Sequence, residues 1–192
     1  MTVSAVLAAH HHLRALVPIG RWSPIVGLAA AVVCLVVWRR LARRVGWRPW
    51  PTLVALLSLA GVLTLTLAPR NWPDIHRSLG QCVPSSWAGF GESVSEVGGS
   101  VESLLNIAML MPLGCALVLA SRRAAWPALL MALLPLGLEL AQVVVPGREC
   151  SPADWVANAS GGLVAVLVGA ALNAVLRPYR SVEERPAAFT SS

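Results

Sequence analysis

Five long runs of apolar residues divide the chain, and each is long enough to cross a lipid bilayer. They lie near 22–38, 50–68, 101–120, 127–145 and 154–176. About 20 apolar residues in helical conformation span the hydrocarbon core of a membrane, so each run predicts one transmembrane helix. The pattern therefore predicts an all-α fold, a polytopic integral membrane helical bundle of about five transmembrane helices.

The segments between the runs suggest how the chain is organised. We expect an N-terminal two-helix region (1–68), an extracytoplasmic loop (69–100), a three-helix core (101–176) and a cytoplasmic disordered tail (177–192). A loop of this length in a small bundle is usually functional or partly structured. The tail contains prolines and ends in Thr and Ser, a composition typical of disorder.

Composition agrees with a membrane protein. Hydrophobic residues make up 56% of the 192 residues and charged residues 12%, and the mean hydropathy is +0.68. Soluble domains carry about a quarter charged residues. The net charge is +6, and the sequence contains arginine but no lysine. The arginines lie in short clusters between the apolar runs. This distribution indicates membrane topology rather than nucleic-acid binding, and the predicted location is a bacterial cytoplasmic membrane, crossed several times.

The arginines also predict the orientation. Connections on the cytoplasmic side of a membrane are enriched in basic residues. The first connection, the third connection and the tail carry most of them: Arg39, Arg40, Arg43, Arg44, Arg48, Arg122, Arg123, Arg177, Arg180 and Arg185. The N-terminus is then expected outside and the C-terminus inside the cell.

Three of the runs carry unusual polar residues at a similar predicted depth, in the outer half of the membrane. Glu139 and Gln142 lie three residues apart near the end of the fourth run. Asp154 and Asn158 lie four apart at the start of the fifth, and Asn106 lies about two turns into the third. Residues at these spacings share a helix face. A carboxylate in hydrocarbon costs several kcal/mol unless it is paired or meets water.

Two interpretations of this polar group stay open. Arg148, in the short loop between the last two runs, is a predicted partner for Glu139 or Asp154. The group is either a polar pocket open to the outer face or a network that locks the helices together. Asp154 also suits a helix start, because Ser151 would be the N-cap and Pro152 the first helical residue.

Small residues and prolines predict the helix contacts. Pro112 and Gly114 interrupt the third run, and Gly161 and Gly162 lie near the start of the fifth. Small residues allow transmembrane helices to approach closely, so we interpret these four positions as structural.

Cys82 and Cys150 both fall in exterior connections, and we hypothesise a disulfide between them, since the exterior is oxidising in most bacteria. The sequence contains no HExxH, paired CxxC, Walker or GxSxG motif. No metal and no cofactor are therefore predicted, and the candidate catalytic residue is Glu139, as a general acid or base.

An ordered set of short motifs in the second half of the chain is similar to the VanZ-like family. The motifs are "NIAMLMPLG" (106–114), "ELAQ" (139–142), Arg148, "DWVAN" (154–158) and "GG" (161–162). The resemblance covers roughly 100–175. It identifies as family positions Asn106, Pro112, Gly114, Glu139, Gln142, Arg148, Asp154, Asn158 and Gly161 or Gly162.

The resemblance implies a link to low-level resistance to teicoplanin, a lipid-bearing glycopeptide antibiotic. Our first hypothesis is a non-enzymatic cell-envelope protein whose outer-leaflet pocket binds a lipoglycopeptide or a lipid headgroup. Arg148 would meet an anionic group, and Gln142, Asn106 and Asn158 would supply hydrogen bonds. The alternatives are an enzyme acting on an envelope lipid, with Glu139 as acid or base, and a structural or interaction subunit. Membrane lipid is the expected partner, and the sequence does not predict an oligomeric state.

Overall fold

The computed structural model describes residues 23–67, 86–146, 148 and 150–183, with side chains to Leu176. This part of the chain is helical and contains no strand, so the all-α prediction is confirmed. Its six helices are α1 (Ser23–Val45), α2 (Pro49–Leu67), α3 (Trp87–Ser95), α4 (Val101–Ser121), α5 (Ala125–Gln142) and α6 (Pro152–Glu183). All except α3 contain a stretch long and apolar enough to cross a membrane.

The long helices alternate in direction, which gives the bundle two different ends. The polar end is where α2 and α5 stop and α4 and α6 begin. The arginine-rich end is where α1 and α4 stop and α2 and α5 begin. Hydrogen bonds across each end, described below, establish this arrangement. The predicted orientation would place the polar end outside the cell.

The first connection is much shorter than its arginines suggest. The last turns of α1 contain Arg39 to Arg44, and the helix ends at Val45 rather than near Trp38. Hydropathy marks where the chain leaves the hydrocarbon core of the membrane. A helix, by contrast, continues for as long as its backbone groups can form helical hydrogen bonds. Gly46 ends α1 with a φ of +68°, in the left-handed region that favours glycine.

Helices α4 and α6 run parallel and form the closest contact in the bundle. A Cβ atom built on Gly161 would collide with the carbonyl oxygen of Ile107. A Cβ on Gly114 would lie 2.6 Å from the carbonyl oxygen of Gly162, and one on Gly169 would lie 3.0 Å from that of Cys115. Glycine at these positions lets the two backbones touch, as small residues do in membrane helix pairs.

The apolar core lies between this pair and the neighbouring helices. Leu110 and Leu113 of α4 are buried against Met131 of α5 and Val166 of α6. Helix α2 packs between α1 and α4, and α5 packs mainly on α6. Much of the outer surface of α1 is exposed and apolar, as expected for a helix that faces lipid.

A second polar network closes the arginine-rich end. The guanidinium of Arg48 donates to Oδ1 of Asn173 at 3.1 Å, and Nδ2 of Asn173 donates to the carbonyl of Val118 at 2.9 Å. The rings of Trp47 and Trp126 stack with centroids 5.3 Å apart. These contacts join the α1–α2 connection to α4, α5 and α6.

One predicted boundary differs from the structure. The backbone of α6 continues to Glu183, past the predicted core boundary at 176, because a proline in a long helix removes one hydrogen bond without ending the helix. The predicted loop 69–100 contains α3, which begins with Ser86 as its N-cap. The stretch 68–85 and the final residues 184–192 lie outside the described residues.

We expect Gly161→Ala to destabilise the bundle by about 1–3 kcal/mol or more, because the methyl group would force α4 and α6 apart. Thermal unfolding of the purified protein in detergent measures the effect. Gly137→Ala in α5 is the matched control, since a Cβ there meets nothing within 4 Å. Equal melting temperatures for the two variants would contradict the close packing of α4 on α6.

Candidate functional site

The predicted polar residues of α5 and α6 meet at the polar end, where the segment 143–151 joins the two helices. Glu139 is 4% exposed, and its carboxylate accepts a hydrogen bond from the backbone amide of Ser151 at 2.9 Å. The hydroxyl of Ser151 accepts from the amide of Asp154 at 3.4 Å, as an N-cap does. Glu139 therefore holds the start of α6 through its cap.

Gln142 and Arg148 bind the other helix that ends here. The side-chain amide of Gln142 donates to the carbonyl of Thr66 at 3.2 Å, and the guanidinium of Arg148 donates to the carbonyl of Leu65. The last carbonyls of a helix have no donor within that helix. Both side chains are buried, and they fix the end of α2 to the end of α5 and to the loop before α6.

The charged groups lie close together. The charges of Asp154 and Arg148 both act electrostatically on the carboxyl group of Glu139. Arg148 and Asp154 each make a further interaction with a neighbour. Among the described residues, no group of three or more His, Cys, Asp or Glu is placed to hold a metal ion.

The side-chain amides of two predicted site residues, Asn158 and Asn106, keep hydrogen-bonding atoms without a partner among the described residues. Asn158 is 5% exposed; its Nδ2 donates to the carbonyl of Asp154 at 2.9 Å, whereas its Oδ1 accepts no hydrogen bond from the described residues. Asn106 is half-buried and makes no side-chain hydrogen bond within the described part of the chain. The contact of Gly161 with Ile107 places Asn106 and Asn158 at about the same depth.

Trp155 belongs to the same region but is absent from the residues predicted from the sequence. Its indole Nε1 is buried and donates to no acceptor in the described segments. Its ring lies 6.2 Å from that of Phe90 in α3, and Phe90 in turn meets Trp87, which is 90% exposed. A tryptophan at the start of a membrane helix is typical of the headgroup region, so the sequence offers no signal for a special role.

The family model for VanZ/LLP1 matches residues 26–173. The chain belongs to the VanZ/LLP1 family. No match was found among curated proteins or among solved structures. The family match extends the sequence resemblance, which covered roughly 100–175, to include α1, α2 and α3. The VanZ/LLP1 region thus contains both polar networks, at the two ends of the bundle.

The cysteines of this VanZ/LLP1 protein fall into two groups. Cys34 and Cys115 are free thiols within helices, whereas Cys150 is disulfide-bonded. Cys150 lies directly before Ser151, so a bond there tethers the loop that carries the polar network. Cys82, the remaining cysteine of the sequence, lies outside the described residues, and its pairing with Cys150 stays a prediction.

We expect Glu139→Ala to destabilise this VanZ/LLP1 protein by about 1–3 kcal/mol, because the partly buried amide of Ser151 loses its acceptor. Glu139→Gln keeps an oxygen that can accept the same hydrogen bond and should cost less. Unfolding in detergent compares the two variants with Glu92→Gln, a change at an exposed carboxylate. If Glu139→Ala has the same melting temperature as the wild type, Glu139 does not hold the start of α6.

We expect non-reducing peptide mapping to recover one disulfide-linked pair containing Cys82 and Cys150, which separates after reduction. The protein is alkylated before digestion so that free thiols cannot exchange, and the peptides of Cys34 and Cys115 serve as alkylated controls. Alkylation of Cys82 and Cys150 without prior reduction would disprove the pairing.

Proposed function

We propose that this VanZ/LLP1 protein is a non-enzymatic cell-envelope protein that binds an amphipathic ligand at its polar end. The observation that carries the proposal is the amide of Asn158, which is almost fully buried yet leaves its Oδ1 without a donor among the described residues. A buried acceptor without a donor is costly, so such atoms often mark a functional site. The half-buried Asn106 at similar depth extends the candidate surface onto α4.

The proposal divides the polar residues by role. Glu139, Gln142 and Arg148 bond to backbone groups and act as positioning residues. Asn106 and Asn158 keep hydrogen-bonding capacity for a ligand. This division replaces the simpler expectation that Arg148 meets an anionic ligand, because its guanidinium is buried against the end of α2.

The ligand would approach from the outer leaflet. The described residues of the arginine-rich end carry Arg39, Arg40, Arg43, Arg44, Arg48, Arg122 and Arg123. The positive-inside rule assigns that end to the cytoplasm and the polar end to the exterior. A ligand with an apolar tail in the outer leaflet and a polar head would then meet α4 and α6 where both helices begin.

Membership of the family extends the proposal to a phenotype. VanZ-like proteins are linked to low-level teicoplanin resistance, and teicoplanin combines a lipid tail with a polar head. We propose that the polar end of this protein contributes to such protection, by binding the antibiotic or a lipid of the envelope.

One observation favours a second candidate, a structural subunit. Three of the predicted site residues satisfy backbone groups of neighbouring helices, which is sufficient reason for their presence. The enzymatic alternative has less support, because the carboxylate of Glu139 already accepts a hydrogen bond from Ser151. The ligand-binding protein and the structural subunit predict different roles for Asn106, because its side chain takes no part in the network of hydrogen bonds.

We expect expression of the wild-type protein to raise the teicoplanin concentration that inhibits a sensitive Gram-positive host. Asn106→Ala and Asn158→Ala should lose most of that protection at normal membrane abundance, because each removes a ligand-facing amide. Abundance is measured by quantitative immunoblotting of membranes.

Asn173→Ala is the matched control, an asparagine of the same helix at the opposite end. It removes bonds to Arg48 and Val118 and should lower stability while preserving protection per molecule. Full protection by both polar-end variants would overturn the proposed site and leave the structural subunit as the better description.

A further inference from the structure

Two buried polar atoms on one face of α6 are unused by the described residues. They are Nε1 of Trp155 and Oδ1 of Asn158. The residues are three positions apart, so they share a helix face. Each such atom without a partner costs free energy in an apolar environment. Their chemistry therefore indicates what kind of group would satisfy them.

The orientation of the Asn158 amide is fixed by its neighbour. Its side chain meets the backbone carbonyl of Asp154 at 2.9 Å. A carbonyl oxygen only accepts hydrogen bonds, so the amide nitrogen must face it. The atom that remains for a ligand is consequently the oxygen, an acceptor. The indole nitrogen of Trp155, by contrast, can only donate.

This pairing of one donor and one acceptor discriminates between ligand classes. A phosphodiester or carboxylate only accepts and would leave Asn158 unsatisfied, whereas an ammonium only donates and would leave Trp155 unsatisfied. A hydroxyl group does both. The neighbouring carboxylate of Asp154 also disfavours an anion, and Arg148 is already bonded to Leu65.

We infer that Trp155 is a ligand-binding residue and that, with Asn158, it binds the hydroxyls of an uncharged headgroup, a sugar or glycerol on a lipid tail. The inference rests on the proposed function and specifies the chemistry of its ligand. Trp155 Nε1–H donates to a hydroxyl oxygen, and a hydroxyl donates to Asn158 Oδ1. The apolar tail remains in the outer leaflet.

The surroundings of Trp155 fit a headgroup-facing position. Its ring contacts Phe90 of α3. Phe90 also contacts Trp87, which is almost fully exposed. Aromatic side chains concentrate at the level of lipid headgroups. The short helix α3 packs against this part of α6.

The test uses the full chain in phosphatidylcholine nanodiscs, with ¹⁵N in the tryptophan indoles. The Trp155 resonance is assigned by its loss in Trp155→Phe. Three lipids are titrated: glucosyl-dioleoylglycerol, its fully methylated glucose analogue, and dioleoylphosphatidylmethanol. The methylated sugar can accept hydrogen bonds but cannot donate them, and phosphatidylmethanol is anionic without a hydroxyl.

We expect the glucolipid to bind and to move the Trp155 indole proton downfield, and the methylated analogue to bind more weakly. Trp155→Phe and Asn158→Leu should each weaken glucolipid binding about five- to tenfold, the equivalent of one hydrogen bond. Trp126→Phe, which alters an indole stacked on Trp47 at the arginine-rich end, is the matched control and should bind normally.

Two results would overturn the inference in distinguishable ways. If phosphatidylmethanol shifts Trp155 and the glucolipid does not, the polar end binds an amphipathic ligand of another class, and only the hydroxyl assignment fails. If no lipid shifts Trp155 and its indole proton exchanges magnetisation with a buried water alone, a water satisfies these atoms. The inference then fails, and failure of teicoplanin protection in the resistance assay would remove the proposed function as well.

Discussion

The structure depends on satisfying backbone groups where membrane helices end. The last carbonyls and first amides of a helix have no partner within it, and lipid supplies neither donors nor acceptors. Arg148 and Gln142 supply donors to the end of α2, and Glu139 supplies an acceptor before α6. At the other end Asn173 donates a second hydrogen bond to the carbonyl of Val118, which also accepts from the backbone amide of Arg122. Polar side chains thus fix the helix ends, while apolar contacts fill the middle.

This constraint explains why charged residues near the candidate site need not touch a ligand. A carboxylate that accepts from a helix-cap amide is already engaged, and so is a guanidinium that binds a terminal carbonyl. What such residues provide is a rigid frame in which neighbouring side chains keep one orientation. The amide of Asn158 keeps one orientation for a separate reason, because its nitrogen donates to the carbonyl of Asp154 in the first turns of the same helix.

Hydropathy and residue spacing were sufficient to predict the five long helices, but not α3, and to place Glu139 near Asp154, because a short loop joins the two helices that carry them. They could not predict the partners of Gln142 and Arg148, since the carbonyls of Thr66 and Leu65 lie 76 and 83 residues away along the chain. The end of α1 was misplaced because its arginines extend the helix beyond the apolar run. Trp155 was missed because an ordinary interfacial role explains a tryptophan at that position.

The parallel contact of α4 with α6 has an electrostatic consequence. Each helix has a positive N-terminal end and a negative C-terminal end, so two parallel helices in backbone contact bring two positive ends together. An acidic residue lies in the first turn of each, Glu102 in α4 and Asp154 in α6. Arg148, in turn, lies at the negative end of α2. Glu102 and Asp154 therefore offset the dipoles of the two helices that glycine allows to approach so closely, and Arg148 offsets the dipole of α2.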